Sequence, residues 1–218
     1  MHDSCAEQGL PAWHAARLGK VTASRFKDVM TQPRSKAARE AGELSGTARS
    51  YMLELVAESL TGEAQGITKP TAAMQWGTDN EPAARSLYER RTGTAVRQVG
   101  FISHPLHESI GGSPDGLVGE FSGVEIKCPF NTAIHLGYIL GRELPKDHVA
   151  QVQGLLWITG RDWWDFVSYD PRIRDLNLAL WVHRVERDAD YIDRLDKAVF
   201  AFLDTYLETL CTLKEREG

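Results

Sequence analysis

Cysteine is scarce in this sequence, and its few cysteines are not arranged as in a disulfide framework or a zinc site. The chain contains three, Cys5, Cys128 and Cys211, which are far apart and form no C-x-x-C pair. The seven histidines likewise show no H-x-x-x-H or comparable ligand spacing. We therefore expect a reduced, cytoplasmic protein without a structural zinc ion.

Long apolar segments are also missing. No apolar run approaches the length needed to cross a bilayer. The first five residues have neither the basic nor the apolar region of a secretory signal, so we expect no membrane association. With 218 residues, 42% of them hydrophobic, the chain can form one sizeable core but would be cramped as two domains. We expect one domain over residues 1–218.

The sequence lacks the excess of positive charge that is common in proteins that bind nucleic acids. Its formal net charge is −5, which argues weakly against a nucleic-acid partner. The basic residues are nevertheless unevenly distributed, because residues 14–39 contain seven lysines and arginines and one acid, Asp28. A protein that holds a polyanion on one face would have this pattern. A solvated loop would also explain the basic residues within 33–40.

The order of the predicted elements is helices, a group of strands, helices, strands and a closing helix. Helices are predicted over residues 11–18, 22–30, 47–60, 71–91, 132–140, 146–158 and 188–213. The helix over 71–91 could be interrupted at Gly77. Strands are predicted over 95–103, 109–112, 117–118, 124–128, 163–169 and 178–186. Residues 32–46 and 62–70 are expected to be loops. The fold class is therefore α/β, with one mixed sheet flanked by helices.

The most informative motif is Ser113-Pro114-Asp115, followed ten positions later by Glu125-x-Lys127 on an apolar segment. Residues i and i+2 of a strand share a face. Glu125 and Lys127 should therefore point the same way, with Ile126 facing the core. A hairpin that folds back around residues 120 and 121 would place Asp115 opposite Ile126, beside the other two.

This combination of charges is typical of a metal-dependent phosphodiesterase. Two close carboxylates repel each other unless a divalent cation lies between them. Oxygen ligands with space for phosphate and water favour Mg²⁺ or Mn²⁺, which would polarise the phosphate and acidify a water. Lys127 would orient that water or offset negative charge in the transition state. The alternative is a solvated hairpin with ordinary surface charges, and we prefer the site because Ser113-Pro114-Asp115 lies at hairpin distance.

Other polar residues could join this site or serve only as surface groups. Glu81 could add a metal ligand or pair with Arg85 on the helix surface. Gln151 and Gln153 bracket a valine in an apolar helix, although most such glutamines lie on a helix surface. Arg17 and Ser24 could bind a phosphate, although each taken alone is better explained as an ordinary structural residue.

The sequence resembles the PD-(D/E)-x-K nucleases, and within them the phage lambda exonuclease or YqaJ-like viral recombinase family. Ser113-Pro114-Asp115-Gly116-Leu117 followed by Glu125-x-Lys127-Cys128-Pro129-Phe130 carries the resemblance. It extends over most of residues 11–205, in order, through Trp13-His14-x-x-Arg17-Leu18-Gly19, Thr22-Ala23-Ser24, Pro33-Arg34-Ser35, Trp76-Gly77 with Glu81, Ala150-Gln151-Val152-Gln153, Tyr169-Asp170-Pro171-Arg172 and Val185-Glu186-Arg187-Asp188.

The resemblance implies a restriction-endonuclease-like core and a magnesium-dependent exonuclease. Members of this family degrade one strand of linear double-stranded DNA from 5′ to 3′ and leave a 3′ single strand. A phage single-strand annealing protein then uses that strand for recombination. The family enzyme is a homotrimeric ring threaded by DNA, so it needs a basic channel rather than a basic surface as a whole.

The resemblance also implies roles for individual residues. The metal ligands would be Asp115, Glu125 and the Ile126 carbonyl. Glu81 would lie near a second metal ion, which gives two Mg²⁺ per active site, with Mn²⁺ as a substitute.

The remaining implied roles concern catalysis and DNA contacts. Lys127 and Gln151 fall on the catalytic lysine and glutamine of the family. Arg17, Ser24 and Ser113 fall on residues that contact the 5′-phosphate or the scissile region.

Two further positions correspond to residues that contact DNA in the family. Arg34 falls on a residue that reaches the DNA. Met74 falls on an apolar wedge that splits the terminal base pair and is more usually a leucine.

Two alternatives remain open. The first is an endonuclease or junction resolvase of the same fold, which would cut circular DNA. The second is an inactive DNA-binding recombination subunit, although the intact set of Asp115, Glu125 and Lys127 argues against it.

Overall fold

The computed structural model describes residues 7–65 and 69–215. The N-terminal residues examined above for a secretory signal, Cys5 among them, and residues 66–68 of the predicted loop 62–70 lie outside these ranges. Within the described residues the helices are α1 (Pro11–Arg17), α2 (Phe26–Met30), α3 (Lys36–Glu40), α4 (Gly46–Thr61), α5 (Ala72–Thr92), α6 (Thr132–Gly141), α7 (Lys146–Thr159), α8 (Leu176–Ala179) and α9 (Ala189–Glu215), with a 3₁₀ turn, Ala23–Arg25, before α2.

The strands of the described chain form two sheets rather than the single mixed sheet predicted from the sequence. The strands are β1 (Val21–Thr22), β2 (Val96–Arg97), β3 (Ile102–His104), β4 (His107–Gly112), β5 (Gly116–Val118), β6 (Ser122–Lys127), β7 (Trp163–Tyr169) and β8 (Leu180–Glu186). The order is β2-β5-β6-β7-β8 in one sheet and β1-β4-β3 in the other. Only β6–β7 and β1–β4 are parallel pairs among them. The fold is α/β, as predicted.

The five-stranded sheet is covered on both faces, because alternate residues of its central strands point to different helices. Trp164 and Phe166 of β7 are fully buried in the larger of two apolar clusters, together with α7 and α9. Ile126 of β6 and Val167 of β7 belong to the smaller cluster, with Tyr88 of α5. The prediction that Ile126 faces the core is therefore confirmed, and Glu125 lies on the opposite face.

The β5–β6 hairpin differs from the prediction by one residue. Gly116 pairs with Val124 and Val118 with Ser122, so the hairpin is centred on Glu120 rather than between residues 120 and 121 as we expected. Continuing this register places Asp115 level with Glu125, and the predicted pairing of Asp115 with Ile126 is wrong. Gly119 takes a φ of +54° in this turn, which glycine adopts without a steric penalty.

An arginine outside the hairpin holds the turn in this shape. Arg161, which is largely buried, donates from Nη1 to the carbonyl oxygens of Gly119 at 2.9 Å and Ser122 at 2.6 Å. The amide of Asp162 donates to the Phe121 carbonyl at 2.9 Å. Because these contacts come from the residues just before β7, the hairpin is connected to the parallel strand beside it.

Three other predictions fail in part. The strand predicted over 95–103 is two strands, β2 and β3, in different sheets, because an apolar pattern does not specify which partner each half pairs with. The predicted loop 32–46 contains α3, whose first turn is capped by Ser35, which accepts from the Ala38 amide at 3.3 Å. The strand predicted over 178–186 begins only at Leu180, because residues 176–179 form α8.

Helix α5 is continuous through Gly77 and Pro82, so the possible break at Gly77 is not observed. Its ends agree with the sequence pattern. The Thr71 hydroxyl accepts from the Met74 amide at 3.2 Å, and Gly93 ends the helix at a φ of +70°. No helix in the described ranges combines the length and the apolar character needed to span a bilayer.

Gly123 provides a test of the sheet packing. A Cβ at this position in β6 would lie 2.2 Å from the Trp164 ring. Since that ring is fully buried, we expect Gly123→Ala to lower the free energy of unfolding by about 1–3 kcal/mol. Gly137→Ala is the control, because Gly137 is exposed in α6 with nothing within 4 Å of its added Cβ. It should raise stability by about 0.5–1 kcal/mol. Urea denaturation measures both, and an unchanged midpoint for Gly123→Ala would contradict this packing.

Candidate active site

A cleft of about 470 Å³ lies where the end of β6 faces α5. Glu81 and Met74 of α5 line one side, and Lys127 of β6 lines the other. The remaining lining residues are Ala73, Gly77, Thr78, Asp115, Ile126, Cys128, Pro129, Ile134, Tyr138 and His148. Asp115 and Lys127 of the predicted motif therefore line one concave site.

Glu125 is almost completely buried beside this cleft, with only one of its two carboxylate oxygens hydrogen-bonded. Its Oε1 accepts from Lys127 Nζ at 2.5 Å and from Gln151 Nε2 at 2.6 Å. Its Oε2 is buried without a hydrogen-bond partner among the described residues. The predicted common face of Glu125 and Lys127 is thus confirmed, and Gln151 of α7 belongs to the same cluster.

Asp115 reaches the same cluster from the end of β5. Its Oδ2 accepts from the Ile126 amide at 2.6 Å. This contact attaches Asp115 to β6 between Glu125 and Lys127. Asp115 therefore lies beside these two residues, as we expected, although the strand register differs from the predicted one. The two carboxylates and the lysine are therefore neighbours on one hairpin.

The electrostatics reflect several acids gathered in a buried place. Burial, followed by the charge of Asp115, raises the pKa of Glu125 to about 8. Burial also raises the pKa of Asp115. Burial alone would lower the pKa of Lys127, but the charges of Glu125 and Asp115 outweigh it and raise that pKa. The lysine therefore stays cationic in this site.

The sequence left two alternatives for Glu81, a residue of the site or a partner of Arg85, and the structure shows both contacts. Glu81 forms an ion pair with Arg85, one turn further along α5, and it also lines the cleft. Burial, followed by the charge of Asp115, raises the pKa of Glu81 to about 7, against the opposing effects of Arg85 and Lys127. Glu81 therefore interacts electrostatically with the carboxylates of the hairpin.

These donors suit a hard divalent cation. The unpartnered Oε2 of Glu125 is a buried carboxyl oxygen near a second acid, Asp115. A cation between them would favour the ionised form of both, and carboxylate oxygens are what Mg²⁺ and Mn²⁺ prefer. In the described part of the chain, no three acid, histidine or cysteine side chains converge as a complete ligand set. Backbone carbonyl, water and phosphate oxygens would therefore supply the other ligands, as is usual for Mg²⁺.

A second cleft, of about 320 Å³, contains Arg17 and Ser24. The Arg17 guanidinium lies 4.5 Å from the centroid of the Trp13 ring, and its Nη1 donates to Ser113 Oγ at 3.0 Å. Trp13 Nε1 donates to the same oxygen at 2.9 Å. Since Ser113 is two residues before Asp115, this arginine is connected directly to the start of the hairpin motif.

The acids in this second cleft are already engaged by other groups. Glu54 accepts from Arg25 Nη1 at 2.9 Å. Glu58 accepts from the amides of Gly19 at 2.9 Å and Gln65 at 3.1 Å. Among the described residues neither acid forms an ion pair with Arg17, although the charge of Glu58 partly offsets the lowering of the Arg17 pKa by burial.

The structure does not bring all predicted residues together. Met74 is half exposed and lines the first cleft, whereas Arg17 and Ser24 line the second. Arg34 is exposed and lies outside the linings of both clefts.

Several residues were assigned wrongly or missed. Gln153 is buried, not on the helix surface: its Nε2 donates to the Glu186 carbonyl at 2.9 Å and its Oε1 accepts from the Asp188 amide at 3.0 Å. His148 and Tyr138 line the cleft without a sequence signal. Burial and the nearby Lys127 lower the pKa of His148 to about 4, so it is neutral at pH 7.

Comparison with a family model and with solved structures shows that the chain is similar to viral recombinases and to exonucleases. The model of the YqaJ-like viral recombinase domain matches residues 12–162. The crystal structure of an alkaline exonuclease, LHK-Exo, from Laribacter hongkongensis is similar with a TM-score of 0.84 and 40% sequence identity, covering 95% of this chain and 98% of that one. The same enzyme has been solved in complex with dAMP.

Two further matches are more distant or shorter. A phage-related exonuclease from Haemophilus somnus 129PT has a TM-score of 0.71 at 22% identity, over 89% of this chain and 96% of its own, a likeness of fold alone. The Escherichia coli (strain K12) protein ExoD, described as uncharacterized, is 35% identical over 66 residues, which are 30% of this chain and 74% of that protein.

Proposed function

Because the chain belongs to the YqaJ-like viral recombinase family, we propose that it is a Mg²⁺-dependent exonuclease that degrades one strand of linear double-stranded DNA from 5′ to 3′. One observation carries the proposal. Glu125 has a buried, unpartnered oxygen, and its other oxygen is held by Lys127 and Gln151, beside Asp115. This arrangement suits hydrolysis of a phosphodiester in the adjoining cleft.

The proposed metal ligands are Asp115, Glu125 and the Ile126 carbonyl, with Glu81 near a second ion. Bound Mg²⁺, or Mn²⁺ in its place, would supply a Lewis acid and an acidified water. Arg85, paired with Glu81, would keep that carboxylate on the side of α5 that faces the cleft.

Lys127 and Gln151 are proposed to act directly on the reacting groups or on the ligand beside them. The Lys127 ammonium remains charged and lines the cleft. It can orient an attacking water or offset negative charge that develops on the phosphate. Gln151 donates to Glu125 Oε1, which leaves Oε2 directed away from both donors and available to a cation.

The direction of digestion follows from the proposed role of the second cleft. Arg17, Ser24 and Ser113 would hold a terminal 5′-phosphate next to the hydrolytic site, because Ser113 bonds to Arg17 and lies two residues from Asp115. Met74, exposed at the first cleft, would separate the terminal base pair, and Arg34 would contact the duplex. Removal of the 5′ strand leaves a 3′ single strand, which a phage single-strand annealing protein would use for recombination.

The decisive experiment compares linear duplex with closed circular duplex, each with Mg²⁺, with Mn²⁺ or with EDTA. The proposal predicts digestion of the linear form alone, and only with a divalent metal. Separate labels at the 5′ and 3′ ends give the polarity, since the 5′ label should be released first. Cleavage of the circle would favour the endonuclease or resolvase alternative. Binding without digestion in any metal would favour an inactive recombination subunit.

We also propose that one nuclease domain, residues 1–218, assembles in the cytoplasm as a homotrimeric ring around the duplex. The basic residues concentrate between Arg17 and Arg39, where three copies could line a channel. One chain with a net charge of −5 has little basic area with which to hold a long duplex by counterion release. Cyclic symmetry also closes head-to-tail interfaces without an open edge.

The ring predicts a defined mass. Sedimentation equilibrium should give a mass near three chains at micromolar concentration, with or without DNA. A monomer that still digests long duplexes processively would contradict the ring without contradicting the nuclease.

A further inference from the structure

The chain that follows Lys127 is held in place by one arginine, Arg172, which lies after β7. Arg172 Nη1 donates to the Phe130 carbonyl at 2.9 Å, and its Nη2 donates to the Pro129 carbonyl at 3.1 Å. Pro129 and Lys127 both line the first cleft. The guanidinium therefore determines where the chain runs as it leaves the strand that carries Glu125 and Lys127.

Arg172 is itself oriented by a buried acid. Asp170 has no exposed surface, and its two oxygens accept from Arg172 Nε at 2.8 Å and Nη2 at 2.8 Å. The Arg172 amide also donates to Oδ1 of Asp170 at 3.0 Å. Such a two-point pair fixes the plane of the guanidinium as well as its charge. The two carbonyl contacts therefore come from a donor whose orientation is already fixed.

The same guanidinium contacts α5 on the other side of the cleft. Its Cζ lies 4.5 Å from the centroid of the Trp76 ring, and the Trp76 ring meets Phe130 edge-on at 6.0 Å. Trp76 lies two residues after Met74 and five before Glu81. Arg172 thus joins the end of β7, the segment after β6 and the first half of α5.

The two halves of α5 are anchored differently. The second half is attached to the sheet through Tyr88, whose hydroxyl donates to Asp165 at 2.8 Å, and through Arg91, which donates to the Leu180 carbonyl at 2.6 Å. In the first half, residues 72–75 are all exposed. Trp76 therefore attaches the half that carries Met74, both by packing against the smaller apolar cluster and by its contact with Arg172.

We infer that Arg172 is a positioning residue for the nuclease, which fixes the separation between the first half of α5 and the Lys127–Phe130 segment. The inference rests on the proposed function, because it assigns a role toward the same cleft. Neither Arg172 nor Trp76 lines that cleft, so the effect passes through Lys127 on one side and Met74 and Glu81 on the other. Displacing a reacting group by a fraction of its contact distance is enough to slow a reaction strongly.

The test compares Arg172→Ala with a matched arginine. Arg184 also lies over a tryptophan, 3.5 Å from the centroid of the Trp163 ring, and it also pairs with a buried acid, Asp165 in β7, at 3.2 Å. It lines neither cleft. Arg184→Ala therefore repeats the loss of stacking and of an ion pair, and it keeps Tyr88, whose hydroxyl donates to Asp165 and holds the second half of α5.

We expect Arg172→Ala to lower kcat on linear duplex about tenfold while KM changes little, because the reacting groups are misplaced. Arg172→Lys should fall between this variant and the wild type, since lysine keeps the charge but not the planar fork. Arg184→Ala should lower the melting temperature and leave kcat unchanged. Hydrogen exchange, which needs neither metal nor DNA, should quicken at residues 128–131 and 72–77 in Arg172→Ala and stay unchanged in Arg184→Ala.

Trp76→Leu gives a second route if Arg172→Ala fails to fold, because it leaves the pair of Asp170 and Arg172 intact. We expect lower kcat and faster exchange at residues 72–77. Wild-type kcat and exchange in Trp76→Leu, or equal kcat for Arg172→Ala and Arg184→Ala, would overturn the inference. If the wild type digests no duplex, the proposed function fails, and the exchange comparison still decides whether Arg172 holds the two sides of the cleft.

Discussion

Replacing Asp115, Glu125 or Lys127 with alanine is expected to abolish digestion of linear duplex. These residues form one cluster, in which Lys127 bonds to Glu125 and Asp115 bonds to the Ile126 amide between them. Losing one preorganised charged group from such a site typically lowers kcat by about 10²–10³-fold. Losing a carboxylate should lower it further, because the cation that it would bind is lost as well.

Metal binding separates the roles of the three residues. Calorimetry with Mn²⁺ should show weaker binding for Asp115→Ala and Glu125→Ala, because each change removes an oxygen ligand. Lys127→Ala should keep the metal and lose the rate, since a lysine ammonium has no free electron pair to donate.

Glu120→Ala is the control for these variants. Glu120 is an exposed carboxylate in the turn of the same hairpin, so its loss should change neither metal binding nor turnover. Thermal unfolding would check that the three variants fold. Near wild-type turnover with Mg²⁺ in any one of them would show that this assignment of the site is wrong.

The second large effect concerns the end of the DNA. We expect the wild type to digest 5′-phosphorylated duplex faster than 5′-hydroxyl duplex, and Arg17→Ala to bring that ratio close to one. Hydrogen bonds to a charged partner contribute about 1.5–3 kcal/mol, which corresponds to a loss of roughly 10–100-fold on phosphorylated ends. Arg17 can supply them because Trp13 and Ser113 hold its guanidinium in the cleft.

Two further variants make this test specific. Arg17→Lys keeps the positive charge but cannot form two parallel bonds to phosphate oxygens, so it should retain only part of the preference. Lys36→Ala removes a charge from the same basic stretch but lies outside the cleft, in an exposed pair with Glu40, and should leave the ratio unchanged. An Arg17→Ala enzyme that keeps the full preference would mean that the phosphate binds elsewhere.

The sequence predicted the centre of the site better than its surroundings, for a physical reason. The alternation along β6 requires Glu125 and Lys127 to share a face in any register. The position of Asp115 depends on the turn, where Gly119 adopts a positive φ and Arg161 binds the turn carbonyls, and the register there differs from the predicted one by one residue. The local alternation therefore predicts that Glu125 and Lys127 share a face. The register of the β5–β6 hairpin depends in addition on Arg161, about forty positions after the turn that it binds.

Other parts could not be predicted because they depend on tertiary contacts. The split of the 95–103 segment between two sheets reflects which strands were available to pair with each half. Gln153 was expected on a helix surface, but it joins α7 to the end of β8 through two backbone groups. His148 reaches the cleft only because α7 packs against the sheet, where its ring lies 5.0 Å from that of Phe166.

The parallel pairing of β6 with β7 has a consequence for the order in which the protein is built. β6 carries Glu125 and Lys127, but its neighbour β7 follows only after α6 and α7, and β8 pairs with β7 later still. Non-local pairing of this kind forms slowly, because a long loop must close first. During synthesis the carboxylates therefore leave the ribosome well before the strand and the glutamine that hold them. A nascent or truncated chain that stops before β7 would lack the strand that β6 pairs with, so the proposed cleavage of DNA would begin only after most of the protein has been made.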